Sequence, residues 1–259
     1  VAERRLSSVR NAARVLKAFS SSHRSFGVSE LARLLGLSTS TVHRLLVTLE
    51  AEHLVEQDSN TGKYRLGLAV YDLSAAVAPG YDLSHALLPP MTILRHRTGE
   101  TVQVAVLDGR QVVYIERLDS PDTLKVFIER VGRRNWAHCT STGKVLLAHL
   151  PAAELDRLLD GWEMPAVTPL TITDPELLRK ELSVVRDLGY AENNGEAADD
   201  VISLGAPIRD ATRRVIAAMS VVGRMGNIEP NLPAMRMAVM EAAAVASRRL
   251  GYKARRPAL

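Results

Sequence analysis

The run Thr140-Ser141-Thr142-Gly143-Lys144 is where residue types and spacing first suggest chemistry. Hydroxyls, a glycine and a lysine packed together can cradle a phosphate. A nucleotide-hydrolysing loop also needs a glycine five residues before Gly143 and a hydroxyl after the lysine. His138 and Val145 stand at those places, which excludes nucleotide hydrolysis. The segment still opens a helix, expected from Thr142 to Leu150, and the unpaired N–H groups of a helix start suit a carboxylate. The plainer alternative is a start capped by Thr140 or Ser141. Cys139 beside His138 invites a thiol-nucleophile reading. Catalytic pairs, however, are joined across a fold and not along the chain. His138, Cys139 and His149 lack the spacing of metal-ligand pairs, so neither a metal nor a cofactor is expected. Asp199-Asp200 sits in a polar loop and reads as solvated.

A second set of reactive types lies near the N-terminus, on one helix. With Val42 at zero and about 100° per residue, Leu46, Leu49 and Leu45 fall within about 60° of it and form an apolar stripe. Ser40, Arg44 and Val47 lie opposite, flanked by Thr41, His43 and Thr48. Short hydroxyl side chains at a helix start let its backbone approach a groove floor. An arginine such as Arg44 can take a guanine edge with two hydrogen bonds. A solvated face on a structural helix is the alternative, and the neighbouring elements decide between them. Ser8–Ser20 reads as a helix with Val9, Ala12, Ala13, Leu16 and Phe19 on one face. A second helix spans about Ser29–Leu35, with Ser29 as its expected cap, and Gly36 breaks it. Ser38 caps the third, beginning at Thr39 and running to about Glu52. This is the helix-turn-helix pattern. Leu54–Asp58 and Lys63–Leu66 then flank an Asn/Gly turn as a β-hairpin, a wing whose Lys63 and Arg65 are placed to meet phosphates.

The charge agrees with a polyanionic partner for this part. Residues 1–70 hold ten basic and six acidic residues, whereas the rest holds twenty-three of each, so the whole net charge of +4 lies in the first quarter. Of the 259 residues, 46% are hydrophobic and 24% charged, as in a soluble globular chain of two domains. No stretch approaches the roughly 20 apolar residues of a membrane span. VAERRLSSVR has no apolar secretory core. With Cys139 the only cysteine, an internal disulfide is excluded and a cytoplasmic location is expected.

Beyond the wing, residues 71–80 read as an apolar linker helix closed by Pro79-Gly80, and a helix follows from Leu83 to Thr98 that Pro89-Pro90 should kink or interrupt. Strands are expected at Thr101–Leu107, Gln111–Glu116, Lys125–Glu129, Ser203–Arg209 and Val215–Val222. Helices are expected at Ala152–Leu159, Pro175–Leu188 and Leu232–Leu250. Irregular alternation with hairpin connections reads as α+β with a mostly antiparallel sheet. The expected boundaries are 1–70 for DNA binding, 71–80 for the linker and 81–259 for the C-terminal domain.

The stretches SVRNAARVLKAF, VSELARLLGLSTSTVHRLLVTLEAEHLVEQ and GKYRLG, in this order, resemble the DNA-binding domain of the IclR family of bacterial transcriptional regulators. RVGRR, HCTSTGKVLLAHL, DLGYAENN, GAPIRD and AAMSVVG extend the resemblance to the C-terminal part. It implies a GAF-like or PAS-like effector-binding domain, a linker that helps build a homodimer or tetramer, and a double-stranded, palindromic operator. DNA contacts are then expected from Ser38, Thr39, Ser40, Thr41, His43, Arg44, Val47, Thr48, Lys63 and Arg65. The same resemblance implies that Ser141, Thr142, Asn193, Ser203 and Ser220 hold a small carboxylate effector. Departures are visible: Asn193 replaces an acid, Ser203 a cysteine, Val222 a second serine, and Trp136-Ala137 a Pro-Leu pair. Trp136 either lines the pocket, favouring an aromatic or larger acid, or packs as a half-buried side chain. An enzyme fused to a DNA-binding domain is the rival, but no convergent nucleophile, base or metal set stands in residues 80–259. A purely architectural DNA protein would not need so elaborate a C-terminal half.

Overall fold

The computed structural model describes residues 6–20, 23–77, 83–120 and 131–253. The chain divides into two compact units, Val1–Gly80 and Tyr81–Leu259. The expected strand at Lys125–Glu129 and the Pro79-Gly80 closure lie outside the described residues.

The N-terminal unit contains α1 (Ser7–Ala18), β1 (Ser25–Phe26), α2 (Val28–Leu35), α3 (Thr39–Ala51), β2 (Val55–Gln57), β3 (Tyr64–Leu66) and α4 (Ala69–Val77). The expected cap at Ser29 is corrected. Gly27 is the N-cap of α2, and its N–H donates to the Glu30 carboxylate at 2.7 Å. The turn between α2 and α3 depends on Gly36, whose φ of 65° is left-handed, and Leu37 N–H closes it on Ala32 O at 3.0 Å. Ser38 caps α3 as expected, accepting from Thr41 N–H. Val15, Leu31, Val42, Leu46, Leu49, Val55 and Tyr64 form one core, so the wing packs on the helices. The strands join antiparallel in the order β1-β3-β2.

The C-terminal unit contains α5 (Leu83–Thr98), β4 (Thr101–Asp108), β5 (Gln111–Leu118), β6 (Arg134–Trp136), α6 (Ser141–Ala148), α7 (Ala152–Leu159), α8 (Pro175–Leu188), β7 (Ala191–Asn194), β8 (Val201–Arg209), β9 (Val215–Arg224), the single turn α9 (Met225–Ile228) and α10 (Leu232–Arg249). Its strands form an antiparallel sheet in the order β6-β5-β4-β9-β8-β7. Alternation along the strands sends Val102, Val104, Ile202, Leu204, Met219 and Val221 to a core shared with α5 and α10. Ala105, Ala191 and Ala218 face the other way, onto α6 and α8. The sheet is thus covered on both faces, which explains its long apolar strands.

The expected interruption of α5 does not occur: Pro89 and Pro90 sit inside one continuous helix. Pro89 has no N–H for the carbonyl of His85, and Arg249 from α10 donates to that carbonyl instead, at 3.0 Å. Among the described residues, no helix is long and apolar enough to cross a membrane.

Candidate functional site

The outer face of α3 takes shape from its inner one. Val42 and Leu46 are fully buried and Leu49 nearly so, which leaves Thr39, Ser40, Thr41, His43, Arg44, Val47 and Thr48 exposed. These side chains are not equally available. The Ser38 hydroxyl shares hydrogen bonds with Ser40 and Thr41 in the cap, and Thr48 donates to the Arg44 carbonyl at 2.9 Å. The Arg44 guanidinium makes no hydrogen bond or ion pair among the described residues. The wing cations do: Lys63 lies 3.2 Å from Glu30, and Arg65 donates to Glu56 at 2.6 Å. The wing turn is ordered by Asp58, whose carboxylate accepts from the Asn60 and Thr61 N–H groups, bonds that hold its pKa below the ordinary value.

The second site lies on the sheet face beneath α6. Ser203 pairs with Asn193 on one side and Val222 on the other, while Gly205 pairs with Ser220. The α6 start is laid against these strands. Thr140 caps it, accepting from Gly143 N–H, and Ser141 donates to Ser203 Oγ at 2.8 Å. Gly205 makes the approach possible: a Cβ there would lie 2.9 Å from the Ser141 carbonyl carbon. Asn193 Nδ2 reaches Ser203 Oγ at 3.4 Å, and its Oδ1 accepts from Glu196 N–H at 2.8 Å. Ser141, Asn193 and Ser203 are thus joined directly, and Ser220 and Thr142 border them. Ser220 Oγ and Thr142 Oγ1 are buried without a hydrogen-bond partner. Buried hydroxyls are normally paired, so these two are suited to a polar ligand.

Trp136 falls elsewhere. Its strand pairs with Gln111, at the far end of β5. The ring is tilted against His138 and Trp162, and it borders a surface groove with Arg110, Arg157 and Leu158. Its packing role fits better than a place in the pocket. Only its carbonyl serves α6, accepting from the Thr140 hydroxyl at 3.3 Å.

Lys144 was legible only as part of a failed phosphate motif. It is a buried ammonium, 2.5 Å from Glu196 and 3.2 Å from both Glu181 and the Glu192 carbonyl. Burial pushes the Glu196 carboxyl up, against the pull of Lys144. Neither Gln103 nor Arg117 stands in a recognisable motif, although a glutamine inside the strand TVQVAV is a signal of a buried polar role. Cys139 and His138 do not form a pair. The thiol donates to the Trp136 carbonyl, and His138 Nε2 donates to the Pro165 carbonyl at 3.0 Å, with burial lowering the imidazole pKa. No group of three His, Cys, Asp or Glu side chains among the described residues could hold a metal.

The fold is that of a helix-turn-helix regulator with a β-wing, followed by an α+β domain that carries a buried polar cluster. Residues 8–59 match the IclR helix-turn-helix domain, and residues 75–248 match the bacterial transcriptional regulator IclR C-terminal family. The chain belongs to the IclR family of DNA-binding transcriptional regulators. It is 34% identical over 250 residues to the HTH-type transcriptional regulator XynR of Escherichia coli, covering 96% of this chain and 99% of that one. It is 35% identical over 198 residues to KdgR of the same bacterium, covering 76% and 75%. Among solved structures, an IclR homolog from Microbacterium hydrocarbonoxydans complexed with 4-hydroxybenzoate matches with a TM-score of 0.82 at 30% identity, covering 94% and 99%. The Thermotoga maritima IclR matches with a TM-score of 0.75 at 28% identity, covering 94% and 98%.

Proposed function

We propose that this regulator binds a palindromic operator as a homodimer or tetramer and responds to a small organic acid held beneath α6. The α3 face built from Thr39, Ser40, Thr41, His43, Arg44, Val47 and Thr48 enters the major groove, with Ser38 fixing the helix start. Lys63 and Arg65 hold the wing to phosphates. In the C-terminal domain, Ser141, Thr142, Asn193, Ser203 and Ser220 hold the acid. Trp136 is left out of that set because its ring has other neighbours. The ligand must prefer one arrangement of the DNA-binding domains, since only differential binding shifts an equilibrium. The cytoplasm is the place of such a regulator.

The observation that carries the effector reading is the pair of buried, unpartnered hydroxyls, Thr142 and Ser220, beside a helix start. That a homologue was solved with 4-hydroxybenzoate supports an acid as the class. The test is a thermal-shift screen of small carboxylates on the full chain, followed by operator binding with each stabilising acid. An acid that raises the melting temperature and changes operator affinity is expected, and Ser220→Ala should weaken its binding about ten- to a hundredfold, the cost of a hydrogen bond to a charged group. An acid that binds equally well to Ser220→Ala and Asn193→Ala would place the pocket elsewhere.

A further inference from the structure

The sheet rung that carries Ser220 continues to two side chains so far without a role. Ser220 pairs with Gln103 on β4, and Gln103 pairs with Arg117 on β5. The flanking residues Val102, Val104 and Val221 point into the core under α5 and α10. Gln103 and Ser220 therefore project to the opposite face, the one on which α6 lies. Both are deeply buried: Gln103 is 3% exposed and Ser220 0%. The Arg117 side chain is 6% exposed, and it donates from Nη1 to Gln103 Oε1 at 3.1 Å and from Nε to Asp119 at 2.6 Å.

This contact fixes the chemistry of Gln103. A guanidinium only donates, so the amide end it touches must be the oxygen. Nε2, a pure donor, is then the end turned away from Arg117. It makes no hydrogen bond among the described residues. Ser220 Oγ, the neighbour across the ladder, is also unpartnered. Directly opposed residues of an antiparallel pair hold their Cβ atoms about 4.5–5.5 Å apart, within reach of one ligand oxygen. The two groups together offer an amide donor and a hydroxyl donor. Arg117 stands behind them with its guanidinium shared between Gln103 and Asp119, which holds the amide oxygen and keeps Nε2 turned toward the site.

We propose that Gln103 is a ligand-contacting residue of the effector site: with Ser220 it clamps an oxygen of an anionic effector, and Arg117 positions its amide. This rests on the pocket reading above and adds a residue pair to it. The arrangement asks for an effector with a carboxylate or other acidic oxygen pointing at β4 and β9. A purely apolar ligand would leave Nε2 and the Ser220 hydroxyl buried and unpaired.

The test uses the full-length protein and calorimetry with pyruvate, benzoate and 4-hydroxybenzoate as probes, together with 4-hydroxybenzamide as the uncharged counterpart. For an acid that binds the unaltered protein, Gln103→Leu and Ser220→Ala should each weaken affinity about ten- to a hundredfold. Gln103→Glu, which keeps the size and pairs with Arg117, should abolish binding of the acid by replacing a donor with a negative charge. It covers the case in which Gln103→Leu fails to fold. If Arg117 acts through Gln103, Arg117→Met should weaken binding, and the double variant Arg117→Met/Gln103→Leu should bind no worse than Gln103→Leu alone. Additive losses would overturn the positioning role. Affinity for the acid that falls in Ser220→Ala but holds in both Gln103 variants would overturn the proposal and leave the pocket standing. If neither Ser220→Ala nor the Gln103 variants matter, or if none of the probes binds the unaltered protein, the pocket reading fails and this proposal fails with it.

Discussion

At the scale of single residues, the structure adds a physical difference to cations that the sequence already assigns to base and to phosphate contacts. Arg44, Lys63 and Arg65 all belong to the basic N-terminal quarter, but only the Arg44 guanidinium lacks a partner among the described residues. Lys63 and Arg65 are held by Glu30 and Glu56. These exposed pairs contribute little to stability, and a phosphate can displace the acid. Arg44 stands opposite the buried Val42 and Leu46 and is free to reach a base edge. Arg44→Ala should therefore cost about 1–3 kcal/mol per half-site on the correct operator and relax preference at one base pair. Lys63→Ala and Arg65→Ala should weaken specific and non-specific DNA alike and lower the salt slope by about one per lost phosphate contact. Glu56→Gln should strengthen both kinds of binding slightly, because it releases Arg65. Binding to operator variants at several salt concentrations checks all four. If Arg44→Ala merely flattens the salt dependence and leaves every base preference intact, Arg44 is a phosphate contact.

At the scale of elements, local signals were legible where they depend on neighbours in sequence. The stripe Val42/Leu46/Leu49, the Ser38 cap and the Gly36 break sufficed for α2 and α3, and α7 and α8 begin and end where the periodicity places them. What escaped depends on partners far along the chain. The short strands β6 and β7 have no alternation of their own and exist because β5 and β8 pair with them. Helix α5 runs through two prolines, and the carbonyl that Pro89 orphans is served by Arg249, distant in sequence. The site shows the same limit. Ser141, Asn193, Ser203 and Ser220 are named through the family resemblance and not from any local pattern, whereas the buried Lys144–Glu196 pair is not named at all, because burial of a lysine cannot be read from a local pattern. That pair docks α6 onto the segment after β7. Removing one member leaves a buried charge, so Glu196→Gln should destabilise the C-terminal domain by about 3 kcal/mol, the low end for a broken buried pair, since Glu181 remains near Lys144. Lys144→Met should cost a similar amount, because it strands Glu196. The double variant should be more stable than either single one, since two apolar or neutral side chains need no counter-charge. Urea unfolding of the three variants measures this, and additive losses would mean that the two residues are not coupled.

At the scale of the whole molecule, an apolar linker helix needs a surface to cover it, and α4 shows what would be covered. Leu68, Tyr71 and Leu73 are 82%, 76% and 58% exposed, three large apolar side chains within six positions at the start of a helix. Scattered apolar residues on a surface need no explanation, but here Leu68 and Tyr71 stand three positions apart on one side of the α4 start and Leu73 lies about 200° around the helix from Tyr71, so apolar surface wraps this short helix and calls for cover. Operators with dyad symmetry call for two reading helices held about one DNA turn apart, which a single helix-turn-helix cannot provide. The expectation is that the full chain is at least dimeric, and that residues 1–70 alone, which lack most of α4 and the entire C-terminal unit, are monomeric. A monomer contacts one half-site and forgoes the gain in effective concentration that joins the two, so it should bind the full operator at least a hundredfold more weakly. Tyr71→Lys/Leu73→Lys in the full chain should act in the same direction if α4 belongs to the interface: each lysine would have to be desolvated against an apolar partner. Light scattering coupled to size exclusion gives the masses of all three proteins, and footprinting gives the protected half-sites. A full-length protein that is monomeric in solution and still protects both halves of a palindrome would remove the argument for the linker, and dimeric Tyr71→Lys/Leu73→Lys with undiminished affinity would move the interface to the C-terminal unit.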